Sequence, residues 1–106
     1  MENLVLKNSL LDFNFVSETI IQIEKDFQRC AISINLIGLK KKDEIEQEIY
    51  NAINNLSSLK LQQLIYLVDI NEKEFLKIMS DQYPIQSLSE SILRREALKV
   101  YIRKNY

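Results

Sequence analysis

The chain reads as an all-α domain, an irregular bundle of four to five helices, and three observations predict it. Apolar residues recur at steps of four and three through Val16, Ile20, Ile23, Phe27, Cys30, Ile34 and Ile37, the spacing that lines one side of a helix. One glycine and one proline serve all 106 residues, fewer than the turns of a sheet protein consume. The third observation is local. Ile70-Asn71-Glu72-Lys73-Glu74-Phe75 places a capping Asn, a glutamate three residues on and the two apolar residues of a hydrophobic staple in the order a helix start requires. Length makes residues 1–106 one domain. A composition of 46% hydrophobic and 27% charged residues is able to bury a core.

Residues 1–14 form an apolar arm, with Leu4, Val5, Leu6, Leu10, Leu11 and Phe13. The arm is expected to pack on the bundle, as a strand-like segment or a turn of helix. Helix one starts between Asn14 and Ser17, with Glu18 near the positive end of its dipole. It is expected to run unbroken to Ile37 and to stop at Gly38, the residue type suited to a left-handed terminator. Gln22, Lys25, Asp26 and Arg29 are assigned to its outer face. Ile32, Ile34 and Leu36 also alternate with Ser33 and Asn35, which is how a half-buried strand reads. The alternative is therefore α+β, with a small strand pair from residues 3–6 and 32–36.

Lys40-Lys41-Lys42 reads as a solvated turn. Helix two follows with Asp43 as cap and Glu46 three residues on, and buries Ile45, Ile49, Ala52, Ile53 and Leu56. Ser57 or Ser58 caps helix three, roughly 59–69. Leu61, Leu64, Ile65 and Val68 make one face there, while Leu59 and Leu67 lie off it, so a mid-bundle position is expected. Helix four, about 72–80, turns Phe75, Leu76 and Met79 inward. Pro84 pushes Tyr83 out of helical geometry. Helix five then runs from Pro84 or Ser87 towards the C-terminus, with Leu88, Ile92, Leu93, Ala97 and Val100 inward.

The composition narrows function mainly by exclusion. There is no histidine, which removes the commonest general base and zinc ligand. A single cysteine cannot form a disulfide or a Cys-rich metal site within the chain. One glycine cannot build a phosphate-cradling loop. The reading is accordingly non-catalytic, with no cofactor and no metal. The pairs Glu44/Glu48 and Glu72/Glu74 read as a solvated face and a helix start. Cys30 reads as a small buried hydrophobe.

Two surfaces are candidates for function. Ile21, Ile32 and Leu36 flank the stripe of helix one, and Leu98, Tyr101 and Ile102 lie off the inward face of helix five. If uncovered, they form an apolar patch of the kind that marks a partner site. A self-associating protein-interaction module, a homodimer, is the primary expectation. The alternative is nucleic-acid binding. Residues 94–106 hold five cations, Arg94, Arg95, Lys99, Arg103 and Lys104, against Glu96 alone, giving +4 in a chain whose net charge is −1. Such a ridge suits phosphates, though cations in a final helical turn also offset the helix dipole. A helix-turn-helix across Asp69-Ile70-Asn71 is disfavoured, since Glu72 and Glu74 would meet phosphates. No apolar run approaches the ~18 residues of a membrane span, and the start lacks a signal-peptide pattern. With its lone cysteine, the chain is expected to be cytoplasmic.

Overall fold

The computed structural model describes residues 13–105. Five helices follow one another: α1 (Phe13–Arg29), α2 (Lys42–Ile53), α3 (Ser58–Val68), α4 (Glu72–Met79) and α5 (Pro84–Asn105). The fold is all-α, an irregular bundle with no strand among the described residues. The expectation for the N-terminal arm, and with it one half of the strand pair, lies outside those residues.

Helix α5 is the axis of the molecule. At ~1.5 Å per residue its 22 residues extend about 33 Å, matching the longest dimension of 33 Å. The other four helices all pack on it, and α1 also packs on α3. Leu88, Ile92, Leu93, Ala97 and Val100 are buried as expected. A helix with neighbours on several sides has no single apolar stripe, which is why Ser89 and Glu96 are buried on it too. The mid-bundle position expected for α3 belongs instead to α5. Leu59 and Tyr66 stand on an exposed side of α3, and Leu64, Ile65 and Val68 form its buried face.

The largest departure from expectation lies at the end of α1, which stops at Arg29 rather than Ile37. Ala31 adopts the left-handed conformation at φ 57°. The Ile32 amide donates to the Phe27 carbonyl at 2.9 Å and the Ala31 amide to Gln28 at 2.9 Å. These two bonds define a Schellman turn, here with alanine where glycine is usual. Phe27 and Ile32, the apolar pair that accompanies such a turn, are both buried. Their burial outweighs the ~1–2 kcal/mol that a left-handed L-residue costs.

Residues 32–36 are non-helical. Ile32 and Leu36 are buried, Ile34 is half-buried, and Ser33, Asn35 and Ile37 are exposed. The period-two pattern thus reports an in-and-out segment lying on the core, with no ladder partner among the described residues. Ile37, the last position of the supposed stripe, is 85% exposed. Gly38, at φ 79°, does not end a helix. It is the third residue of a turn closed by the Leu39 amide on the Leu36 carbonyl at 3.2 Å, the type II position that requires positive φ.

The remaining starts are local chemistry. Ser57 accepts from the Lys60 amide at 3.2 Å, and Asn71 from the Glu74 amide at 2.8 Å, as expected of caps. At α2 the boundary shifts by two residues. Lys41 occupies the cap position, where its side chain accepts nothing, and the Glu44 carboxylate takes the Lys41 amide at 3.4 Å. Asp43 lies inside the first turn, and Glu46 pairs with Lys42 at 3.1 Å rather than completing a box. A second Schellman turn ends α3, with Asp69 left-handed at φ 71° and Ile70 bonded to the Ile65 carbonyl at 3.1 Å. In α4, Phe75 and Ile78 pack on the core, but Leu76 is exposed, contrary to its expected inward position.

Candidate functional site

The polar chemistry of this protein converges on the junction of α1, α3 and α5. Helix α1 carries a second stripe, Phe15, Thr19, Gln22 and Asp26, at steps of four, three and four, all buried. Gln22 and Asp26 were expected on the solvent side. They are covered because α5 lies there and meets them with Lys99 and Arg103. The Lys99 ammonium donates to Asp26 Oδ2 at 2.8 Å and to the Leu67 carbonyl at 2.6 Å, and lies 3.0 Å from Glu96 Oε1. One cation thereby joins a carboxylate of α1, a carbonyl that the end of α3 leaves unpaired and a carboxyl of its own helix. Arg103 donates to Gln22 Oε1 at 3.0 Å, and Gln22 in turn donates to Asp26 at 3.3 Å.

Burial decides the protonation of this cluster. Glu96 is 0% exposed, and its carboxyl lies against Asp26 and 3.0 Å from the Lys99 ammonium. Burial first, then the contact and charge of Asp26, push its pKa up to about 8 against the partial relief of Lys99. Burial would raise Asp26 also, but the bonds from Lys99, Glu96 and Gln22 hold it below the usual carboxylate range. Lys99, which burial alone would lower, is held above the ordinary lysine value by Asp26 and Glu96. Near neutral pH Asp26, Lys99 and Glu96 comprise one carboxylate, one ammonium and one carboxylic acid, which together carry no net charge. The Cys30 thiol is raised, mainly by burial and then by Asp26, which leaves it a weak nucleophile.

Of the five cations in the expected basic ridge, four have intramolecular partners. Arg95 pairs with Asp69 at 2.9 Å, Lys99 with Asp26 and Glu96, Arg103 with Gln22, and Lys104 with Glu18 at 3.1 Å. Arg94 is exposed. The apolar candidates divide differently. Ile32 and Leu36 belong to the core, because the chain leaves the helix at Ala31 and lays them inward. Leu98 and Tyr101 are partly buried against Phe15, Ala97 and Val100. Ile21 is 63% and Ile102 47% exposed. Glu18 and Gln22 border Ile21 on α1, and their partners Lys104 and Arg103 follow Ile102 on α5.

A shallow cleft of about 340 Å³ between α2 and α5 is lined by Asp43, Glu46, Gln47, Tyr50, Gln86 and Glu90. The Asp26–Glu96 pair does not open into it. No group of three or more His, Cys, Asp or Glu among the described residues is placed to hold a metal ion. Likewise, no described helix is long and apolar enough to cross a membrane.

Gln22, Asp26 and Glu96 are the residues that sequence reasoning missed. Two signals were available: the four-three-four spacing of Phe15, Thr19, Gln22 and Asp26, and the Glu96/Lys99 pair one turn apart in an otherwise cationic segment. Together these features define, among the described residues, an all-α bundle of five helices in which buried polar side chains of α1 and α5 pair with one another. Comparison of the chain with protein-family models, curated proteins and solved structures finds no match in any of the three.

Proposed function

We propose that this protein is a non-catalytic helical interaction module, and that its first partner is a second copy of itself. The observation that carries the reading is the contrast on α5. Four of the five cations near its C-terminal end are engaged within the molecule, whereas Ile102 on α5 and Ile21 on α1 are both left in water, and Leu98 and Tyr101 are only half covered. A two-fold interface sets the same patch against itself. An apolar centre with a mixed-charge border suits that symmetry, because Glu18 and Lys104 are complementary in either subunit and exchange partners without loss. Burying large apolar side chains gains ~25 cal/mol per Å².

Sedimentation velocity over a wide concentration range tests the reading. The expected result is a mass that rises with concentration and returns to the monomer value in Ile21→Glu and Ile102→Glu. A monomer at every concentration refutes self-association. The nucleic-acid alternative requires Arg95, Lys99, Arg103 and Lys104 to leave their present partners. Its signature is salt-sensitive DNA or RNA affinity that charge reversal at Lys99 and Arg103 abolishes.

A further inference from the structure

Lys99 has three protons to give, and acceptors from three helices surround it: Asp26 of α1, Leu67 of α3 and Glu96 of α5. We propose that Asp26, Glu96 and Lys99 form a proton-gated clasp: with Glu96 protonated it holds the second half of α5 against α1 and the end of α3, and loss of that proton releases it.

The geometry supplies the gate. Asp26 is 2% exposed and Glu96 wholly buried, so neither carboxylate is hydrated. One ammonium lies within ion-pair distance of both, and one ammonium balances one negative charge. While Glu96 is a neutral acid the cluster sums to zero. Once it ionises, a second negative charge is left in the interior with no ammonium of its own, a state that burial strongly disfavours. The groups facing Glu96 are few. Asp26 comes from α1 and Lys99 from α5 itself, while α3 contributes the Leu67 carbonyl to Lys99. Gln22 and Arg103 close one side of the row, and Arg95 is turned outward to Asp69. The charges that act on Glu96 most strongly are those of Asp26 and Lys99.

The direction of the pH effect follows. Glu96 folds with a pKa raised from 4.5 to about 8, so between those values the folded state keeps a proton that the unfolded chain gives up. Stability therefore falls as pH climbs through that window and levels off above it. The other groups act elsewhere. Asp26, with its pKa lowered, loses its contribution only in acid. Lys99 and the Cys30 thiol, both raised, change only in alkali. The range between 4.5 and about 8 thus belongs to Glu96. Release of α5 there would uncover Phe15, Ala97 and Val100.

Urea unfolding and amide hydrogen exchange of the wild-type chain and Glu96→Gln, which keeps the shape and removes the titration, test the clasp. In the wild type the unfolding constant is expected to rise by up to about tenfold per pH unit between roughly pH 5 and 8, and in Glu96→Gln to stay level. Protection factors of amides 94–105 should fall more than those of α2 at the alkaline end, in the wild type only. An equal slope in Glu96→Gln overturns the proposal. So does a loss of protection shared evenly by α2 and α5, because Glu96 would then only tax the whole fold.

Discussion

Substitution of Ala31 by glycine distinguishes the observed turn from the continuous helix that the apolar spacing suggests, because the two arrangements give opposite signs. In the structure Ala31 is left-handed at φ 57° and exposed. An L-residue there costs about 1–2 kcal/mol that glycine avoids. Glycine in turn loses about 0.4–1 kcal/mol through the greater freedom of its unfolded chain. The net expectation is a gain of about 0.5–1 kcal/mol. No core contact is lost, since the Ala31 side chain is in water, and the Lys60 ammonium bonds its backbone carbonyl at 3.0 Å. Inside a helix the same change would destabilise by about 1 kcal/mol. Equilibrium urea unfolding followed by circular dichroism resolves the difference, as does thermal melting, where 1 kcal/mol moves the midpoint by about 4 °C for a domain of this size. Ala31→Val should destabilise, as a β-branched residue is poorly suited to positive φ. A loss of stability in Ala31→Gly would refute the turn and restore the longer helix.

Neighbouring residues of the same segment should differ sharply: Leu36→Asp or Ile23→Asp is expected to unfold the domain, since an unpaired buried charge costs several kcal/mol against a total of ~5–15, while Ile37→Asp should melt within about 0.5 kcal/mol of wild type. Lys99→Met leaves Asp26 buried without its cation and should cost about 2–4 kcal/mol by urea unfolding, discounted because part of the lysine reaches water. Arg95→Met, which breaks an exposed pair, should cost no more than about 1 kcal/mol in the same assay. Removal of the α4 cap in Asn71→Ala is expected to lose about 1 kcal/mol, seen as a lower thermal midpoint.

Much of the fold was legible because helix starts and apolar faces are local properties. Ser57 and Asn71 cap as their side chains require, and Ile45, Ile49, Ile53, Leu64, Ile65 and Val68 are buried at the spacing that marks them. The end of α1 was not legible. The four-three spacing through Cys30, Ile34 and Ile37 continues past a turn that carries no glycine, and only the burial of Ile32 and Leu36 against the rest of the core makes that turn favourable. Gly38 marks a left-handed position, but in a turn seven residues beyond Ala31, the residue that ends the helix.

The site shows the same division. Lys99, Arg103 and Glu96 stand out along the chain as charge, yet charge names no partner. Asp26 is 73 residues from Lys99, and which side of α1 meets water depends on where α5 comes to rest. Spacing and capping, which act over a few residues, settle which segments are helices and much of what they bury. Pairing between distant side chains, the burial that holds a proton on Glu96 and the fate of each cation on α5 are settled only when the helices pack, because desolvation and ion pairing depend on neighbours brought together through space.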